Sequence, residues 1–336
     1  MMRGRSIILA AVILLAAGPA SADPPPSSPI AEVTVTAPSV KKVPQLVERF
    51  GEVTSGDRLS RWAMPVCPLV IGLSPDHSAF IAERMKDIAR AARIPIEPGK
   101  CEPNIVVVIS VDADAVRRVI ARKGRGVLNS GSRWPIDKSQ LYDFAKEDGA
   151  PAHVFYLTGE GDAFSGAPVQ VGGSSEADST GAFSGFMFGP PVVQGYLPSR
   201  LTPKVDDVLQ RVFVIIDGNR VVGLTLQQIA AYASMVTMAE VRVNPPLRDV
   251  DTITAMFADA KAGAPTPPDL TFWDRAYLGA LYGVQSSTSA SSQRSDMSRR
   301  IAHAVEVLNV PDAAPVPASV AAPAPAAPPT AVPPSQ

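Results

Sequence analysis

Apolar positions are most continuous between residues 212 and 241, where a short apolar run, a polar turn and a longer apolar run follow one another. The first run, residues 212–216, has the length and β-branched composition of a buried strand. The second run has apolar residues on every side of a helix, which is typical of a helix inside a core. Thr225 and Gln228 stand at the two positions of a capping box, so we expect this helix to begin directly after Thr225.

Two other apolar runs, residues 65–73 and 103–110, have strand length and flank an amphipathic stretch. Ser74 is a suitable N-cap for a helix between them, and the proline after it suits the first helical turn. One face of this helix carries the apolar residues, at spacings of three and four: Ile81, Met85, Ile88 and Ala92. Strand, helix and strand over this length predict a βαβ unit with parallel strands and a right-handed crossover.

The middle of the chain contains a predicted helix at residues 112–123 that ends at Gly124, a short helix at 137–148 and a third strand at 151–158. Residues 159–204 are rich in Gly, Ser, Ala and Pro, so we expect a flexible insertion. The insertion contains an apolar patch, which fits either a flap over a groove or light packing on the surface. The patch consists of Phe183, Phe186, Met187 and Phe188.

After the central strand we expect a turn at residues 217–220 and a short return strand at 221–223. Beyond the central helix, periodic apolar positions predict helices at 251–261, 271–282 and 295–308. The fold class predicted from this order is mixed α/β (α+β): a partly parallel sheet that starts with a βαβ unit, followed by a mainly helical C-terminal part.

The first 22 residues have the features of a secretory signal peptide, with Arg3 and Arg5 ahead of an apolar run and cleavage expected after Ala22. The apolar run, residues 7–17, is shorter than the roughly 18–20 residues that a membrane span needs, which disfavours an uncleaved anchor. We therefore expect a periplasmic or extracellular protein, with no transmembrane span after cleavage.

The two ends of the mature chain differ in composition from its centre. Residues 23–58 are rich in Pro, Ser, Val and Thr and are expected to form a disordered leader, and residues 311–336 form a Pro/Ala-rich tail. We expect a single globular domain between them, at residues 59–310. The mature chain carries 29 basic and 32 acidic residues, a net charge of −3, so it has no electrostatic footprint for nucleic acid.

Only two cysteines are present, Cys67 and Cys101, and both lie in the mature chain. An oxidising compartment favours a disulfide between them over two buried thiols. By the chain-entropy argument, a bridge across a loop of this length stabilises the fold by about 3–4 kcal/mol.

The residues that usually carry catalysis are sparse. His77, His153 and His303 lie in separate predicted elements, and none has a second histidine at helical spacing, so no metal site, cofactor site or catalytic residue is predicted. Residues 181–185 contain a serine between glycines, but the spacing differs from that of a nucleophile elbow. Glycine-rich carboxylates at 159–162 and 176–178 lack the pattern of a calcium loop.

The order of elements from residue 65 to residue 283 resembles that of certain secreted proteins of Gram-negative bacteria and, more distantly, of metzincin-type zinc peptidases. Residues 271–283, TFWDRAYLGALYG, are similar to the last helix of those catalytic domains, and Met256 stands where they carry a methionine turn. Their zinc helix carries His-Glu-x-x-His, whereas this chain has LQQIAAYASMV there. The resemblance therefore implies a zincin-like scaffold without its metal ligands.

Three functional hypotheses follow. The first is a non-catalytic envelope or periplasmic binding module that takes a peptide or an envelope component in a groove beside the sheet edge. The second is a hydrolase with an unrecognised site, built from acids such as Glu240, Asp249 and Asp251, which equally suit helix ends. The third is a structural envelope protein with the tail as a spacer. The missing ligands favour the first, without a prediction of oligomeric state.

Overall fold

Four strands form one mixed sheet, and the computed structural model describes it with its helices over residues 39–51, 58–127, 138–162, 205–243, 250–286 and 288–309. The strands are β1 (Pro68–Ile71), β2 (Ile105–Ser110), β3 (Ala152–Asp162) and β4 (Val205–Asp217), in the spatial order β1-β2-β4-β3. β1, β2 and β4 are parallel, and β3 is antiparallel to β4. The predicted mixed, partly parallel fold and its βαβ unit are confirmed.

The helices surround this sheet and dominate the chain after β4. They are α1 (Val43–Phe50), α2 (Pro75–Ala91), α3 (Ala113–Val127), α4 (Lys138–Ala145), α5 (Leu226–Met238), α6 (Met256–Ala262), α7 (Phe272–Leu281) and α8 (Ala290–Leu308), with 3-10 turns at Val40–Lys42 and Ile253–Ala255. Three predicted helix starts are confirmed by their caps. Ser74 accepts a hydrogen bond from the His77 amide, and Thr225 and Thr271 each form a capping box.

The main core lies on one face of the sheet, with α5 at its centre. Every α5 residue from Gln228 to Met238 is buried, as predicted for a helix that is apolar on all sides. α2 packs on the same face through Ile81, Met85 and Ile88. A smaller core on the opposite face joins β3 and β4 to α3 and α4 through Phe144, Phe155, Leu157, Phe213 and Ile215.

The expectation of a disordered leader is wrong for residues 40–50, where the 3-10 turn and α1 form. Val43, Leu46, Val47 and Phe50 are buried, and their spacing of three, one and three places them on one helix face. Pro44 occupies the first turn, where its missing N–H breaks no helical hydrogen bond. The folded part thus begins before residue 59.

Several other elements differ from the predictions; for example, β4 begins at Val205 and α8 begins at Ala290, both ahead of the predicted starts. α3 continues through Gly124 to Val127, and β3 extends to Asp162, so its pairing with β4 occupies the first residues assigned to the insertion. Residues 221–223 form a bend and a turn instead of a return strand. Gly223 has φ +87°, which is incompatible with an extended strand.

Cys67 and Cys101 form the predicted disulfide, with 6.1 Å between their Cα atoms. Cys67 directly precedes β1, and Cys101 lies shortly before β2, so the bridge joins the starts of two neighbouring strands. No helix within the described ranges is both long and apolar enough to cross a membrane. The signal peptide, residues 23–38 and 52–57 of the leader, residues 163–204 and the tail lie outside the described residues.

Candidate functional site

The outer edge of β1 is paired only at its beginning. Just before the strand, the Val66 amide donates to the Pro95 carbonyl (2.9 Å), and the Glu97 amide donates to the Val66 carbonyl (3.2 Å). The neighbouring carbonyl, that of Cys67, accepts from the Ile105 amide of β2 (3.3 Å). The backbone amide and carbonyl of Val66 therefore point to the outer edge, whereas the backbone carbonyl of Cys67 points to β2.

This alternation leaves an open backbone edge along the rest of β1. Residues at even positions repeat the orientation of Val66, so the carbonyls of Pro68 and Val70 and the amide of Val70 point away from β2. No hydrogen bond between described residues uses these groups. Pro68 has no amide hydrogen, which limits the edge to a short register.

Leu69 and Ile71 place aliphatic surface beside this open edge. They pair with Val106 and Val108 of β2 and share their sheet face, and 39% and 43% of their respective surfaces remain exposed. Val70 points to the opposite face and is buried in the main core. The smaller core covers Val106 and Val108 only in part.

α3 and α4 pack on the sheet face that carries Leu69 and Ile71, and α4 lies against one side of α3. Arg117 donates to the carbonyls of Phe144 and Lys146, and Arg118 pairs with Glu147 beyond the end of α4. Val119 lies on the α3 side away from these contacts and is 44% exposed. We call Leu69, Ile71, Val106, Val108 and Val119 the β1 groove.

The α5 position that corresponds to a zinc helix is occupied by structural side chains. Gln228 accepts a hydrogen bond from the Thr225 amide and donates to Thr266 Oγ1 (2.7 Å) and the Pro267 carbonyl (3.0 Å). Ile229 belongs to the core. Tyr232 is fully buried against Phe257, and its hydroxyl has no hydrogen-bond partner among the described residues. Burial raises the pKa of Tyr232, so the ring is neutral.

Two of the three acids considered for hydrolysis, Glu240 and Asp251, are among the described residues. Glu240 is buried and lies within electrostatic range of Tyr277. Asp251 is exposed and lies near Asp259, whose pKa is raised by burial and then by the charge of Asp251. Asp249 lies outside the described residues.

His153 and Asp148 form a histidine–carboxylate pair that the sequence does not predict. Nε2 of His153 on β3 lies 3.0 Å from Asp148 Oδ1, at the end of the turn that follows α4. Burial and the nearby Arg117 lower the pKa of His153, whereas Asp148 opposes that shift. A spacing of five residues across a turn is not a recognised motif, so it gave no usable signal.

Neither a search for metal-ligand groups nor comparison with known proteins adds a functional residue to the site. Among the residues for which the structure is described, no group of three or more His, Cys, Asp or Glu side chains is placed to hold a metal ion. Comparison with protein-family models, with curated proteins and with solved structures finds no match. The open β1 edge and its aliphatic groove are therefore the candidate site.

Proposed function

We propose that this chain is an exported binding module that takes an extended peptide segment along the open edge of β1. The observation that supports it is that the unused backbone groups of Pro68 and Val70 alternate along β1 with the exposed aliphatic side chains of Leu69 and Ile71. An extended chain satisfies such groups by strand addition, in which backbone hydrogen bonds supply affinity and alternate side chains supply specificity.

The chemistry of the groove defines the peptide class. Because Leu69, Ile71 and Val119 are aliphatic, the peptide should carry apolar side chains at every second position, on the face that meets them. The existing pairing of Val66 with residues 95–97 supports strand addition, since this edge already accepts a chain in parallel orientation.

Export is the second part of the proposal. The N-terminal 22 residues support it by composition, and the Cys67–Cys101 bridge suits an oxidising compartment. The ligand would then be a peptide segment of an envelope or extracellular protein. The scaffold would resemble a zincin without metal ligands, with Gln228 and Tyr232 in structural roles.

A labelled peptide of alternating valine and threonine tests the proposal by fluorescence anisotropy with the mature chain. Ile71→Asp should weaken binding by at least about tenfold, because it places a charge where an apolar side chain is buried in the complex. Val307→Asp, at an exposed aliphatic position on α8, is the matched control and should bind normally. Hydrogen exchange should show slower exchange at the Val70 amide in the complex.

N-methylated peptides separate strand addition from loose hydrophobic contact. Methylation of alternate amides in one frame should abolish binding, whereas methylation in the other frame should leave it intact, since only one set of amides faces β1. Equal binding of both methylated peptides would refute the proposal. Mass analysis after incubation addresses the hydrolase hypothesis, because a binding module leaves the peptide uncleaved.

A further inference from the structure

A separate cleft of about 170 Å³ lies between the second half of α2 and one side of α7, with Leu270 ahead of α7 also at its wall. It belongs to the helical layer on the main-core face, whereas the β1 groove lies on the other face of the sheet. Its walls combine aliphatic side chains with two arginines. The aliphatic part consists of Ile88, Ala91, Ala92, Leu270 and Leu278.

Among the described residues, the charges around the cleft leave one guanidinium without an ion-pair partner. Arg84 forms an ion pair with Asp269, and Arg90 forms one with Asp87 (2.5 Å). Burial raises the pKa of Asp269, but hydrogen bonds from Gln227, the Leu270 amide and Arg84 outweigh burial and hold it below its ordinary value. Asp269 therefore stays ionised and continues to neutralise Arg84.

Arg275 is the remaining cation at the cleft. Its Nη1 donates to the Leu270 carbonyl, which holds the guanidinium at the cleft wall. No acidic side chain of the described part of the chain forms an ion pair with Arg275. A ligand carboxylate would supply the missing countercharge, and guanidinium groups bind carboxylates through paired N–H donors.

The open space beside Gly279 indicates that the cleft is accessible from α7. It lies in the interior of α7, where glycine costs about 0.5–1 kcal/mol relative to alanine. A Cβ at Gly279 would meet no atom within 4 Å, so packing does not require glycine there. Because glycine has no side chain, Gly279 instead leaves space in the cleft that it lines.

We propose that the α2–α7 cleft binds a small amphiphilic carboxylate, with its apolar body against Ile88, Leu270 and Leu278 and its carboxylate on Arg275. The apolar walls favour a hydrocarbon body, and the unbalanced charge favours an anionic head group. This site does not depend on the peptide-binding proposal, because the two sites lie on opposite faces of the sheet.

Calorimetry of the mature chain with octanoate tests the site, with octanol, octylamine and acetate as comparison probes. Octanoate should bind more tightly than the other three, because only octanoate has both a hydrocarbon body and a negative charge. Arg275→Gln should weaken octanoate binding by roughly tenfold or more. Arg275→Lys should restore part of the affinity, and Arg299→Gln on α8 should leave it unchanged.

Two Gly279 variants test the cleft by its shape. Gly279→Leu should abolish octanoate binding by filling the cleft, and leucine is compatible with the helix. Gly279→Ala should raise the thermal midpoint and retain most of the binding. The proposal is overturned if octanoate does not bind, if octanol binds equally well, or if folded Arg275→Gln and Gly279→Leu variants bind octanoate like the parent chain.

Discussion

The hydroxyl of Thr252 donates a 2.6 Å hydrogen bond to Oδ1 of Asp274, and both residues are buried. The other oxygen of Asp274 accepts from the Ile253 amide (2.9 Å) and from the amide and hydroxyl of Thr271 (2.8 and 2.9 Å). One carboxylate thus caps α7 and fixes the turn that leads into α6. Burying a carboxylate is tolerated because each oxygen is satisfied by protein donors.

Asp274→Ala should destabilise the fold by about 3 kcal/mol, because it leaves several buried donors without an acceptor. Thr271→Ala should cost only about 1 kcal/mol, as for an ordinary cap, since Asp274 keeps its other donors. Urea unfolding followed by circular dichroism measures both values. Asp76→Ala, at an exposed position on α2, is the control, and a similar small loss in all three variants would show that the Asp274 network contributes little.

Helix starts were predictable because their signals are local. Ser74, Thr225 and Thr271 each cap a helix through atoms within three residues, so spacing alone specifies the contact. Helix α1 also carried a local signal in Val43, Leu46, Val47 and Phe50. That signal was hidden by the Pro/Ser/Val/Thr composition of the segment around it.

The candidate sites were less predictable because they depend on neighbours that are distant in sequence. In the sequence, β1 has the pattern of an ordinary apolar strand. Its outer edge is exposed because the strand order β1-β2-β4-β3 places it at one end of the sheet. The charge of Arg275 becomes unbalanced only when Asp269 pairs with Arg84 of α2. The local spacing that identifies a helix cap contains no such information about tertiary contacts.

Removal of the disulfide should lower stability substantially. Cys67 and Cys101 are separated by 34 residues, and the double Cys→Ser variant should lose about 3–4 kcal/mol by the chain-entropy argument. Chemical reduction of the parent chain should produce a loss of the same size, which controls for the serine side chains. Thiol titration of the unreduced, unfolded chain should detect no free thiol, and two free thiols would contradict the bridge.

The His153–Asp148 pair predicts a pH dependence. Because partial burial lowers the pKa of His153 below 6.5 in the folded chain, the unfolded chain binds more protons just below pH 6.5. The contribution of neutral His153 to the free energy of unfolding is therefore fully present above pH 6.5 and is lost as the pH falls through the lowered pKa. His153→Gln should flatten this part of the stability curve.

The measurement is urea unfolding of the parent and His153→Gln chains across the range below pH 6.5. An identical slope in the His153→Gln variant would show that other groups cause the pH dependence.

Gly72 provides the sharpest test of the β1 geometry. It has φ +102°, and a Cβ there would lie 1.9 Å from the Ile109 carbonyl oxygen, so Gly72→Ala combines backbone strain with a clash against β2. We expect a loss of more than about 2 kcal/mol in urea unfolding. Gly99 has φ +75° but open space around it, so Gly99→Ala should cost only about 1 kcal/mol. Equal losses in the two variants would mean that the strain of positive φ dominates and that β1 does not approach Ile109 so closely.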